Sequence, residues 1–176
     1  MPAAVINLGD ADVVAVTERQ IRELCDIARQ APLLRARYCL HRGLEDCVHE
    51  MVIALARDVY IRPHRHHGKS ESFHVLQGRL EVVFFDDTGA ISRRVRLDAA
   101  GQWGARLYRM NRPLWHCVLV HSEVAVIHET TQGPFAPNDC DFAEWAPDGK
   151  DPAGAKAFVE RLIASADVTE CMGESL

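Results

Sequence analysis

The run Pro63-His64-Arg65-His66-His67-Gly68-Lys69-Ser70-Glu71, closed by Gly78, constrains this chain more than any other feature. On an extended strand, residues i and i+2 share a face about 6.6 Å apart, so His64 and His66 aim both imidazoles at one point while Arg65 faces away. After the turn at Gly68, Glu71-Ser72-Phe73-His74-Val75-Leu76-Gln77 reads as a second strand with Glu71, Phe73 and Val75 on one side. Two strands that converge on an interior with three potential metal ligands predict a metal site inside a β fold. Gly78 ends the second strand where a tight turn needs a permissive backbone.

The rest of the chain agrees with a β fold. Thr17-Glu18-Arg19-Gln20 has the form of a capping box, and Ile21, Leu24, Cys25 and Ala28 follow at helical spacing, predicting a helix over 17–31 before Pro32. From Cys39 onward, short segments rich in Val, Ile and Phe alternate and are separated by turn residues, the signature of an antiparallel β domain. His49, Met51, Ile53 and Leu55 alternate on one strand. Leu80 to Phe85 and Ile91 to Leu97 flank Asp86-Asp87-Thr88-Gly89 as a hairpin, and Leu114 to Val120 pairs with Val124 to Glu129. Asp151-Pro152 suits a helix cap and first position, followed by Ala155, Phe158, Val159 and Leu162. The expected organisation is a single domain: an N-terminal helical segment over 1–38, a barrel over 39–148 and a C-terminal helical tail over 149–176.

Composition narrows the function classes. A chain of 176 residues that is 48% hydrophobic can bury an ordinary core. A net charge of −5 provides no footprint for nucleic acid, and Arg93, Arg94 and Arg96 read as a small solvated hairpin face. No stretch approaches the roughly 18 apolar residues of a membrane span, and residues 1–16 lack a basic start followed by a long apolar run, so a cytoplasmic protein with no membrane partner is expected. Cys25, Cys39, Cys47, Cys117, Cys140 and Cys171 contain no Cys-x-x-Cys pair, and most are expected to be buried reduced thiols.

The motif resembles that of the cupin superfamily, His-x-His, three or four residues, Glu, six residues, Gly, which this sequence matches at His64, His66, Glu71 and Gly78. The superfamily's second motif adds a histidine, usually after a Pro-x-Gly turn; Pro113-Leu114-Trp115-His116 stands there without the glycine. The resemblance implies a mainly β double-stranded β-helix, or jelly-roll barrel, with an N-terminal and a short C-terminal helix. It also implies that His64, His66, Glu71 and His116 hold one divalent ion.

Within the superfamily the chain is similar to the WbuC-type cupin metalloproteins over Arg35 to Asp148. The similarity is carried by Arg35, Arg37, His41, Pro63-His64-Arg65-His66, Lys69, Glu71, Trp115-His116, Glu129 to Phe135 and Trp145-Ala146-Pro147. His67 stands where that family has proline. Its members are often encoded near genes for surface polysaccharide synthesis, and cupins commonly dimerise, so the resemblance implies a homodimer and a sugar or sugar-nucleotide substrate.

The donor set by itself leaves more open. Three imidazoles and a carboxylate suit Fe, Ni, Mn, Zn or Cu, and a six-coordinate ion would keep two positions for substrate. An isomerase or epimerase of a small polar substrate in surface polysaccharide (O-antigen) synthesis, a metal-dependent dioxygenase, and a non-catalytic sugar or organic-acid binding module all fit. Lys69 reads as a catalytic acid or a turn lysine, and Glu129 as a general base or a rim partner. His49, Arg37 and His41 read as pocket residues or as packing groups, Arg35 with them, while His67 and His74 are out of phase with the ligands.

Overall fold

The computed structural model describes residues 4–136 and 138–165. In chain order its elements are β1 (Ala4–Asn7), α1 (Glu18–Gln30), β2 (Arg35–Cys39), β3 (Val48–Ala56), β4 (His64–His66), β5 (Glu71–Gln77), β6 (Arg79–Phe85), β7 (Ile91–Asp98), β8 (Leu107–Met110), β9 (Trp115–Val120), β10 (Val124–Gln132), β11 (Cys140–Phe142) and α2 (Pro152–Ala164). They form a six-stranded sheet, β1-β2-β3-β10-β5-β8, facing a five-stranded one, β11-β4-β9-β6-β7. This is a mainly β jelly-roll with one helix on the outer side of each sheet. Among the described residues, no helix is long and apolar enough to cross a membrane.

Three layers of packing explain why so many strands are apolar on both faces. Between the sheets lie Leu55, Phe73, Val75, Leu80, Val82, Phe84, Leu97, Val118 and Ile127. Helix α1 sets Leu24, Cys25 and Ala28 against Ala36, Tyr38, Val52, Ala54 and Val126 on the outer side of the first sheet. Fully burying Leu24 contributes roughly 1.5–3 kcal/mol. Helix α2 sets Phe158 and Leu162 against Val83, Phe85, Cys117 and Leu119 on the outer side of the second.

The local signals hold where they are strong. Thr17 caps α1, with Gln20 N–H donating to Thr17 Oγ1 at 3.4 Å and Thr17 N–H donating to Gln20 Oε1 at 3.0 Å. The hairpin β6–β7 forms over nearly the expected residues. β9 and β10 also form as strands, β10 running on to Gln132, but they do not pair with each other as expected: the chain crosses between the sheets at residues 121–123, so β9 lies between β4 and β6 and β10 between β3 and β5. At Gly78 φ is +76°, and a Cβ there would stand 2.3 Å from Ser122 Oγ and 2.4 Å from the Val124 carbonyl, so only glycine fits.

Two further readings change. The segment before residue 39 is not helical throughout: β1 and β2 pair in parallel and extend the first sheet beyond β3. The Arg93, Arg94 and Arg96 cluster is not a uniformly solvated face, because Arg94 is buried, its Nη1 2.5 Å from Glu81 Oε2. A row of arginines on a strand does not reveal the carboxylate on its neighbour. Cys25, Cys39 and Cys117 are buried free thiols, whereas Cys47 is exposed and Cys140 half-buried; Cys171 lies outside the described residues.

Candidate metal centre

Strand pairing assembles the centre. His64 stands directly opposite His116 across β4 and β9, and His66 follows His64 on the same face of β4. The ligand atoms of His64, His66 and His116 lie within 4.8 Å of one another. Glu71, at the start of β5 in the facing sheet, reaches across to them, one carboxylate oxygen 3.3 Å from His66 Nε2 and the other 3.5 Å from His116 Nε2. Tyr108 on β8 donates its phenol O–H to Glu71 Oε1 at 2.9 Å.

The ring orientations select the ligating nitrogens. His64 Nδ1 lies 2.9 Å from the Arg62 carbonyl, and His116 Nδ1 lies 2.9 Å from the Leu114 carbonyl. A carbonyl only accepts, so each Nδ1 carries a proton, and in the neutral ring that leaves the Nε2 lone pair facing the interior. His116 Nε2 is buried without a hydrogen-bond partner. A buried acceptor costs free energy unless something donates to it or coordinates it, and the donor set fits a divalent ion bound by three imidazoles and one carboxylate.

The electrostatics favour the neutral ring at one ligand candidate and the protonated ring at another, which would release its proton to an ion. Burial and the neighbouring His116 push His64 down to about 3, leaving it the neutral ring a metal requires. Hydrogen bonds with Cys140, which pairs with His66 across β11 and β4, and with Glu71 raise His66 to about 10. Burial works to raise Glu71, but contacts with His116 and His66 prevail and hold it below the usual carboxylate range.

Beside the centre opens a cavity of about 500 Å³ lined by His64, His66, Glu71 and His116, by apolar Ile53, Leu55, Ile61, Phe73, Val118 and Ile127, and by Arg35, Arg37 and Glu129, with Val5 and Leu33 also on the wall. Burial, then the charge on Glu71, raises Glu129 to about 8. Of the residues singled out in the sequence, Arg35, Arg37 and Glu129 thus meet the four ligand candidates in one cavity. His41 and His49 stack on each other with ring centroids 4.1 Å apart and do not line it. Lys69 Nζ pairs with Asp139 at 2.6 Å and donates to the Pro134 carbonyl at 2.7 Å. His67 pairs with Asp141, and Arg65 points outward over the Trp115 ring, as the strand phase requires. Tyr108 was hidden in a four-residue strand, its one signal being the alternation with Met110.

Comparison with solved structures matches this two-sheet arrangement to a crystal structure of CapF with the inhibitor 3-isopropenyl-tropolone, at 18% identity and a TM-score of 0.51, covering 61% of this chain and 31% of that one. A second structure, the capsular polysaccharide assembling protein CapF from Staphylococcus aureus, matches at 17% identity and a TM-score of 0.50, covering 61% and 29%. The cupin domain of Cnp3 from Schizosaccharomyces pombe matches at 14% identity and a TM-score of 0.42, covering 56% and 60%. The fold is a cupin fold. The chain spans less than a third of the length of the two CapF chains. Residues 16–97 match a family described as a domain of unknown function, DUF6016, a stretch that includes His64, His66 and Glu71 and stops before His116. No curated protein matches the chain.

Proposed function

We propose that this cupin is a metal-dependent enzyme acting on a small polar substrate, with His64, His66, Glu71 and His116 holding one divalent ion. The observation that carries the reading is His116: its Nε2 lone pair is buried and partnerless, in a ring fixed by its other nitrogen, 3.5 Å from a carboxylate. A proton there would make a closed salt bridge with Glu71; an ion supplies the same favourable charge and leaves a face open to the cavity. When bound, such an ion polarises and acidifies substrate oxygen atoms.

The chain's own groups supply the rest. Glu129 lines the same cavity and is the residue we assign to taking and returning a proton on the substrate, as isomerisation or epimerisation requires. Ile53, Ile61, Phe73 and Val118 exclude water around the reacting atoms. Tyr108 holds Glu71 in place. A sugar or sugar nucleotide of surface polysaccharide synthesis is the substrate we favour; support comes from the WbuC-type resemblance and from the CapF fold likeness, CapF being a capsular polysaccharide assembling protein.

Elemental analysis of untagged protein tests the site. Near-stoichiometric Fe, Ni, Mn, Zn or Cu in the wild type, lost in both His66→Ala and His116→Ala, is expected; retention in both variants overturns the reading. Deuterium uptake from D₂O into sugar phosphates and sugar nucleotides, followed by NMR, tests the proton transfer. Oxygen consumption instead would favour a dioxygenase, and tight binding of an unchanged sugar a binding module.

A further inference from the structure

Arg35 and Arg37 alternate with Ala36 and Tyr38 along β2, whose other face packs under α1. Both arginines therefore sit on the interior side, opposite Leu55 and Ile53 of β3, and both line the cavity. Two like charges on one strand face stand about 7 Å apart and repel, Arg35 half-buried and Arg37 exposed at the edge of the cavity. Among the described residues little offsets them: Arg37 has the charge of Glu129 at a distance and a contact with the Cys39 thiol. Among the described residues no carboxylate forms an ion pair with either, and Glu129, the one acidic group of the cavity besides Glu71, bonds to neither. Arg35 Nε is buried without a hydrogen-bond partner.

Guanidinium groups have a planar fork of donors and no acceptor, so the partner they lack is an oxyanion. We propose that Arg35 and Arg37 form an anion subsite of the cavity, and that its ligand is a small molecule carrying a carboxylate or phosphate beyond the oxygen atoms that approach His64, His66 and His116. The subsite lies on the first sheet and the imidazoles on the second, so a ligand engaging both spans the cavity. The identity of the anion subsite stands on the arginines alone; the span rests on the metal reading above.

Glucose, glucose 6-phosphate and glucuronate share one ring and differ in the group at carbon six, so they serve as probes. By calorimetry, one or both anionic probes should bind about tenfold or more tightly than glucose, the better of the two telling phosphate from carboxylate. That preference should fall about tenfold in Arg35→Gln and in Arg37→Gln, while metal content and melting temperature stay as in the wild type; Arg37→Lys, which keeps the charge without the fork, should fall between. Equal affinity of all three probes, no binding of any, or an intact preference in the double Gln variant overturns the assignment. Anions bound through the ion alone would keep their preference in the Gln variants and lose it on chelation. A preference that survives chelation but not the Gln substitutions supports the subsite whatever becomes of the metal reading.

Discussion

Glu71 and Glu81 are both strand carboxylates, 2% and 3% exposed, yet the protein treats them in opposite ways. Glu81 faces the outer layer under α2, where Arg94 pairs with it directly, Arg96 Nε lies at 3.7 Å and His121 Nε2 at 3.8 Å. Arg94 Nη2 also donates to the Leu162 carbonyl and to Ser165 Oγ, tying the sheet to the end of α2. Glu71 faces the cavity, where its neighbours are two imidazole nitrogens and one phenol. A guanidinium is a permanent cation with hydrogens to give, and it closes the account of a buried carboxylate. An imidazole can give up its proton and so leaves the carboxylate available to an ion or ligand. The same side chain is thus a rivet in one place and a receptor in the other, and the difference lies wholly in its partners.

The comparison breaks most visibly at the rivet. Arg94→Met leaves Glu81 buried with only its longer contacts to Arg96 and His121 and should cost up to about 3–5 kcal/mol by urea unfolding, whereas Glu81→Leu with Arg94→Met should recover most of that loss. At the receptor the ordering reverses: Glu71→Gln should lower metal affinity by about 100-fold or more while leaving the fold intact in chelator. Chelation itself should destabilise the wild type by about 2.7 kcal/mol when free metal stood at 100 times its Kd, and should leave His116→Ala unmoved; equal shifts in both would show that binding is elsewhere. Tyr108→Phe removes one neutral donor and should cost about 1 kcal/mol, with a measurable drop in metal affinity.

The smallest effect is in acid. Burial opposes the charge on Glu81, but contacts with His121 and Arg94 hold its carboxyl below the ordinary 4.5. A depressed carboxyl contributes stability that is fully present above the unfolded value and is lost as pH falls below about 4.5 through the lower folded one. Unfolding free energy measured from pH 6 to pH 3 should therefore decline less steeply in the double variant Glu81→Leu, Arg94→Met than in the wild type.

How much of this could be read beforehand depended on distance along the chain. His64, His66 and Glu71 belong to one local run, so strand phase alone brought them together. His116 depends on the β4–β9 pairing, and the motif resemblance supplied what spacing could not. Glu81 and Arg94 escaped notice for the same reason in reverse: their contact is made across a hairpin, and nothing in Arg93-Arg94-Val95-Arg96 says which arginine turns inward. β1, β8 and β11 are too short for alternation to be recognised, which hid both Tyr108 and the contribution of Val5 to the cavity wall. Capping of α1 and the β6–β7 hairpin, whose determinants are adjacent residues, were legible almost to the residue.

Val5 on β1 borders the cavity, and the strand begins at Ala4. Whatever polypeptide is joined ahead of Ala4, natural or added for purification, therefore starts next to a residue of the cavity wall. A polyhistidine tag at that end would bring a crowd of rival imidazoles to the doorway, able to carry nickel into the cavity or strip the resident ion from it.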